Sequence, residues 1–260
     1  VDIPNLFAGT VDYYLQYRSH YPERLIDRVA QLCQLGADAA VLDLGCGPGL
    51  LARAFAPHCS RVVGVDPAPG MLAAAQRYIH PYEDKARFVC ASAHELSPGF
   101  GSFHLAVIGR AFHWMDRAAT LRTLASMIEP GGAVVLFRAP SLNLAQNAWR
   151  AEFDRIFAEF ASSDAARQGA EKNPYAQDEE ALLASPFNCL ERISTVEIRK
   201  LTPEHLIGRA FSMAGTSPQD LGEKLPLFVD AMRRALSGFT RDGVLSEITE
   251  PQALIARRAF

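Results

Sequence analysis

Positive charge is not in surplus in this sequence. The 26 Lys and Arg residues stand against 29 Asp and Glu, for a formal net charge of −3. Nothing is left over to neutralise a phosphate backbone, so a nucleic-acid partner is disfavoured. Long apolar runs are missing too. None approaches the ~18 residues that a membrane span needs, and no charged-then-apolar leader opens the chain, so neither a membrane partner nor export is expected. Cysteine is sparse and odd in number, with five residues at Cys33, Cys46, Cys59, Cys90 and Cys189. No pair has the spacing of a metal-ligand set or a redox couple, and His20, His58, His80, His94, His104 and His205 form no ligand-spaced cluster. No metal is expected, and a reducing cytoplasm suits these thiols. Cys46, Cys59 and Cys90 lie in or beside apolar runs and read as small buried hydrophobes. Low-complexity linkers and internal repeats are absent as well.

What is present is apolar material for one sizeable core, since 49% of the residues are hydrophobic and 21% charged. Short β-branched runs recur at residues 40–44, 61–66, 87–90, 105–108 and 133–137. They are apolar on both faces, as buried parallel strands are. Helical spacing fills the gaps, with Leu25, Ile26, Val29 and Leu32 in the first segment, Met71, Leu72, Ala75 and Ile79 in another, and Leu121, Leu124 and Ile128 before Pro130-Gly131-Gly132. Strand and helix alternate, so a doubly wound parallel sheet with helices on both faces follows. Beyond Ala139 the pattern changes. Leu142 to Arg167 reads as a long helix, with Phe153, Phe157 and Phe160 on one side. Val196 to Ile198 reads as a strand, Pro203 to Met213 and Pro218 to Leu236 as helices, and Val244-Leu245 and Ala253 to Ala256 as closing strands. The chain is expected to form a single domain over 1–260. Helices of an N-terminal lid would lie in 1–35, the core in 40–139, a helical cap with a sixth strand in 140–240 and a terminal strand in 241–260.

The strongest chemical signal is Asp43-Leu44-Gly45-Cys46-Gly47-Pro48-Gly49. It follows a strand and opens a helix, the context in which a glycine loop lets backbone approach a ligand. Asp66 closes the next strand, where a carboxylate can accept from both hydroxyls of a ribose. A dinucleotide such as NAD would use nearly the same parts. Two details favour S-adenosylmethionine (SAM) instead. Leu50 stands where the third glycine of G-x-G-x-x-G would fall, and Asp43 lies two residues before the first glycine, where a carboxylate suits a cationic methionyl amine better than a pyrophosphate.

With these residues in place, Asp43 to Gly49 followed by Val63-Gly64-Val65-Asp66 resembles the class I SAM-dependent methyltransferases. Gly109-Arg110-Ala111-Phe112-His113-Trp114-Met115-Asp116 is similar to the AFHWF/MD segment of the branch that includes trans-aconitate-type and many bacterial secondary-metabolism methyltransferases. Tyr14 to Pro22 is similar to its YxxYRPxYP segment, Glu129 to Gly132 to its L-x-P-G-G turn, and Thr202 to Gly208 and Ala253 to Arg258 to its tail. The resemblance implies a Rossmann-like, seven-stranded, mostly parallel sheet with a helical cap inserted after the fifth strand. It also implies a cytoplasmic enzyme that moves a methyl group from SAM to an oxygen, nitrogen or carbon nucleophile of a small molecule, in bacterial secondary metabolism. An NAD-dependent oxidoreductase and a SAM-binding protein without catalysis are the alternatives.

Carried onto this chain, the resemblance has Gly45 and Gly47 line the methionyl part, with Asp43 and Cys46 among the cofactor-binding residues. Asp66 and Pro67 hold the ribose, Met71 packs near the adenine, and Ser92 and Ala93 edge it. Relatives often have Asp where Ser92 stands, which weakens one acceptor. Arg18 would reach the cofactor carboxylate. Arg110, where many relatives have Gln, would bind near the cofactor, meet an acidic substrate or pair with a nearby carboxylate. Methyl transfer is an in-line displacement that needs alignment and exclusion of water, and a base only where the nucleophile carries a proton. His113, at the C-terminal edge of the sheet, is the candidate base. The alternative is that His113 and Trp114 only start the next helix. Tyr14, Tyr17, His113 and Trp149 are the candidate substrate contacts, with packing as the competing role for the tyrosines and Trp149.

Overall fold

Each apolar run becomes a strand in the computed structural model, which describes residues 9–162 and 174–259. In chain order the strands are β1 (Ala40–Leu44), β2 (Arg61–Asp66), β3 (Ala86–Cys90), β4 (Phe103–Gly109), β5 (Ile128–Arg138), β6 (Cys189–Ser194), β7 (Glu197–Leu201), β8 (Leu245–Thr249) and β9 (Gln252–Arg257). The chain divides into two compact units. A sheet unit takes 20–139, 174–195 and 251–259, and a helical unit takes 9–19, 140–162 and 196–250.

The sheet unit holds seven strands in the order β3-β2-β1-β4-β5-β9-β6. The first five run parallel, and β9 is antiparallel to both β5 and β6. Alternation along the central strands builds two cores, because successive side chains point to opposite faces. Leu42, Leu44, Val65, Ile108 and Leu136 face one way and pack with Leu121, Leu124 and Met127 of helix Arg117–Met127. Val41, Val62, Leu105, Val107, Val135 and Phe137 face the other way and pack with Leu25, Ile26 and Val29 of helix Glu23–Leu32 and Leu51 and Phe55 of helix Leu50–Phe55. Helices therefore cover both faces, as the continuous apolar runs require. Cys46 and Cys59 are buried. Cys90 is not: β3 is the edge strand, and the thiol is exposed.

The structure corrects three of the sequence-based elements. The sixth strand of the main sheet is Cys189–Ser194, whose residues are all exposed or half-buried. The run at Val196 instead leads into β7, which pairs with β8 in a separate two-stranded sheet. The helix expected from Leu142 begins at Trp149 and runs to Phe160. Asn147 ends the irregular stretch before it, donating to Leu142 O and Ile248 O and accepting from Ile248 N. Residues 163–167 of that expected helix lie outside the described residues, as do 1–8 of the expected lid. The helix expected over Pro218 to Leu236 divides into Pro218–Leu221 and Leu225–Ser237, broken where Gly222 turns at φ +50°.

The helical unit has its own core. Trp149, Phe153, Ile156 and Phe157 pack with Leu206, Ile207, Phe228, Met232 and Leu236. Inside it, Arg209 makes a two-point salt bridge with the buried Glu247, with Nη2 to Oε2 at 2.9 Å. Burial alone would raise the Glu247 pKa. Arg209, with Arg150 and Arg199 further off, together outweigh it, so the pKa is lowered. No described helix is long and apolar enough to cross a membrane.

Candidate active site

Four strand ends of the sheet unit gather the motif residues at the C-terminal edge of the sheet. After β1 the chain bends through Gly45 (φ +69°), Gly47 (φ +51°) and Gly49 (φ +84°), a left-handed conformation that favours glycine. Backbone bonds from Gly45 N and Cys46 N to Val65 O, at 2.8 and 3.1 Å, tie the bend to the neighbouring strand. The Gly47 N–H then donates to Asp66 Oδ2 at 2.9 Å, and the Ala68 N–H donates to Asp66 Oδ1 at the same distance. An ionised carboxylate has about four lone-pair sites, so two stay available for incoming hydroxyl donors. Burial raises the Asp66 pKa, and the Ala68 and Gly47 amides work against that rise.

Gly47 itself faces open space, since a Cβ placed there would have no atom within 4 Å. Gly45 is the opposite. A Cβ on it would stand 2.5 Å from the Ala111 Cβ and 3.1 Å from the Met115 Cε. The Ala111–Met115 segment thus closes on the glycine bend, a contact that the sequence motifs do not reveal separately.

Asp43 sits lower than expected. It is 1% exposed, and its Oδ2 accepts from Ala52 N at 2.8 Å. Gly49, the residue that starts helix Leu50–Phe55, has no side chain to cap it, so the strand carboxylate satisfies an amide of the first turn instead. Burial pushes the Asp43 pKa up to about 7, against the Ala52 hydrogen bond and with a further rise from Asp66. The expected ligand contact becomes a support for the bend from below.

Pro67 follows Asp66 at the rim, and Met71 is buried in helix Pro69–Tyr78. At the end of β3 the Ser92 amide and hydroxyl both donate to Glu95 Oε2, at 2.8 Å each. These bonds hold the Glu95 carboxyl below its ordinary range. Ser92 keeps its oxygen as an acceptor, and the exposed Glu95 offers a second one that the sequence reading missed. Ala93 packs at the edge of the core beneath.

Arg110 follows β4 at φ +59°, a strained setting for a side chain other than glycine. Its guanidinium lies 5.4 Å from the Tyr21 ring centroid. His113 is exposed in the one-turn helix Phe112–Trp114, its ring 4.8 Å from that of Trp114. The protein mass around the imidazole lowers its pKa, Asp178 opposes this, and Arg117 lowers it further. The net lowering favours the neutral ring, the form that can accept a proton.

The remaining predicted contacts belong to the helical unit. Arg18 donates through Nε to Ser212 Oγ at 2.8 Å and through Nη2 to Ser212 O at 3.2 Å, and its guanidinium lies over Tyr14. Tyr17 packs edge-on to His205 and fills the space above Gly208, where a Cβ would stand 2.5 Å from the ring. Trp149 is 1% exposed and donates its indole N–H to Ser246 O at 2.9 Å. For Trp149 the substrate contact gives way to packing, because the side chain is enclosed by its own unit. Among the described residues no group of three or more His, Cys, Asp or Glu side chains is placed to hold a metal ion.

Comparison with known proteins adds to this geometry. A family profile described as "Methyltransferase domain" matches residues 41–132, the segment from β1 to the turn within β5. An uncharacterised methyltransferase of Mycobacterium tuberculosis is 26% identical over 239 residues, 91% of this chain and 87% of the relative. A trans-aconitate 2-methyltransferase of Streptomyces avermitilis is 31% identical over 133 residues, 49% of each chain. Among solved structures, a SAM-dependent methyltransferase from Geobacter sulfurreducens in complex with S-adenosyl-L-homocysteine superposes with a TM-score of 0.57 at 16% identity, covering 99% of both chains. That last likeness speaks for the fold.

Proposed function

The chain is a member of the class I SAM-dependent methyltransferase superfamily, and from that premise we propose that it methylates an oxygen, nitrogen or carbon nucleophile of a small molecule in bacterial secondary metabolism. One observation carries the reading. The glycine bend and the strand-end carboxylate lie side by side, joined by the Gly47–Asp66 hydrogen bond, with open space at Gly47 and acceptor capacity left on Asp66.

These residues fit SAM. Backbone at Gly45–Gly47 can approach the methionyl chain, Asp66 can accept from the ribose hydroxyls, and Met71 in helix Pro69–Tyr78 with Ser92 and Ala93 after β3 would edge the adenine. SAM supplies a methyl group already activated by a sulfonium, which leaves as a neutral thioether with the electron pair of the broken C–S bond. The protein's task is then to align the acceptor and exclude water. His113 takes the proton from a nucleophile that carries one, and a pKa lowered by burial, which favours the neutral ring, suits that step. A carboxylate acceptor needs no such help. The net charge of −3 supports a small-molecule acceptor over a nucleic acid.

Isothermal titration with S-adenosyl-L-homocysteine and with NAD tests the cofactor. Micromolar binding of NAD, with none of S-adenosyl-L-homocysteine, overturns the proposal. Transfer of tritium from methyl-labelled SAM into a bacterial metabolite extract tests catalysis; no transfer across broad extracts points to a SAM-binding protein without turnover. For His113→Ala, lower turnover with unchanged S-adenosyl-L-homocysteine affinity supports the base role, and an unchanged rate dismisses it.

A further inference from the structure

The His113 turn is backed by charged groups that the mechanism above does not use. Helix Pro174–Leu183 packs against the Phe112–Trp114 turn and against helix Arg117–Met127. It brings in Asp178, whose side chain is only 7% exposed. Two arginines hold that carboxylate from different elements. Arg117 Nε, in the first turn of its helix, donates to Oδ1 at 2.7 Å, and Arg138 Nη2, at the end of β5, donates to Oδ2 at 3.3 Å. Arg138 is itself 4% exposed and also reaches Glu179 Oε1 at 3.2 Å, which Arg192 holds from the other side at 2.6 Å. The Arg117 guanidinium lies 5.8 Å from the ring centroid of Phe112, the residue beside His113.

We propose that Asp178, clamped by Arg117 and Arg138, is the positioning residue for His113: it fixes the turn that carries the imidazole and sets the local charge that the imidazole meets. This rests on the reading of His113 as the base. The geometry supports it in three ways. Breaking a buried pair is costly, so the carboxylate stays in place. Both of its oxygens are held by guanidinium groups, which fixes its orientation on a helix packed against the turn. The charged groups that bear on His113 among the described residues are then opposed, Asp178 on helix Pro174–Leu183 against Arg117 on helix Arg117–Met127.

The test is NMR titration of His113 in the full chain, its resonance assigned by loss in His113→Gln, for wild type, Asp178→Asn and Arg117→Gln. Asp178→Asn leaves positive charge uncompensated and moves the His113 midpoint down by roughly 0.5–1 pH unit, whereas Arg117→Gln removes one positive charge, leaves the carboxylate to Arg138 alone and moves the midpoint up by a similar amount. Asp178→Glu restores the wild-type midpoint in part. Movement of both variants in the same direction, or no movement in either, overturns the proposal. Where Asp178→Asn does not fold, Arg117→Gln carries the test alone, since its side chain is one-fifth exposed, and an unmoved or lowered midpoint then overturns the proposal. The pH dependence of kcat, measured with the acceptor once it is known, separates the two readings. Opposite NMR shifts with a rate profile that stays fixed uphold the clamp and dismiss His113 as the base.

Discussion

Gly45 and Ala111 come from two motifs far apart in the chain, yet no side chain could stand between them: a Cβ on Gly45 would lie 2.5 Å from the Cβ of Ala111. The glycine bend after β1 and the Ala-Phe-His-Trp turn after β4 are therefore parts of one packed object. β1 and β4 are adjacent in the sheet, so their ends emerge side by side, and close approach requires a residue without a side chain on one of them.

Substitutions at two glycines of the bend should fail in different ways. Gly45→Ala forces both a clash and a positive φ, and should cost about 1–3 kcal/mol in urea unfolding. Gly47→Val meets open space, so its stability cost should stay near the ~1–2 kcal/mol of a left-handed residue, while S-adenosyl-L-homocysteine binding disappears from calorimetry. A Gly45→Ala protein as stable as wild type would show that the Ala111 contact is not formed.

Asp66→Ala removes the strand-end acceptor. The affinity for S-adenosyl-L-homocysteine should fall by about 1.5–3 kcal/mol, the range for hydrogen bonds to a charged group. Calorimetry reads this directly, and full affinity in the variant would remove Asp66 from the site.

Asp43 gives the ligand-free protein a pH dependence with a definite sign. Its folded pKa of about 7 lies above the ordinary value of 3.8, so between these values the folded state binds more protons than the unfolded state. Stability must then rise as pH falls through this window, and the gain is complete below the unfolded value. Asp43→Asn should flatten that part of the profile. Thermal midpoints from pH 8 to 5, compared between wild type and variant, check it. A wild-type profile no steeper than that of Asp43→Asn would show that the carboxylate is not buried in this way.

Trp149→Phe keeps an aromatic ring but a smaller one and removes the indole donor, which leaves a void in the buried site and Ser246 O without that partner. A loss of about 1–3 kcal/mol in stability is expected, with S-adenosyl-L-homocysteine affinity unchanged. Unchanged stability with a raised KM for the acceptor would instead return Trp149 to substrate contact.

The sequence by itself determined the sheet unit closely. Runs apolar on both faces have few ways to bury themselves, so β1 to β5 were legible from the pattern of the sequence, and the turn chemistry of Gly45, Gly47 and Gly49 is local to the chain. Cys189–Ser194 was not legible as a strand of the main sheet, because its apolar residues form no continuous run and it takes its place at the edge from pairing with β9. Asp43 shows the same limit at the site. Its spacing from the glycines was visible, but whether its carboxylate faced a ligand or the Ala52 amide depended on how helix Leu50–Phe55 returned over the strand. Asp178 carried no local pattern at all. Tertiary structure alone decided that it would meet Arg117 and Arg138, because burial of a charge is settled by what surrounds it in space, and neighbours in space are not neighbours in sequence.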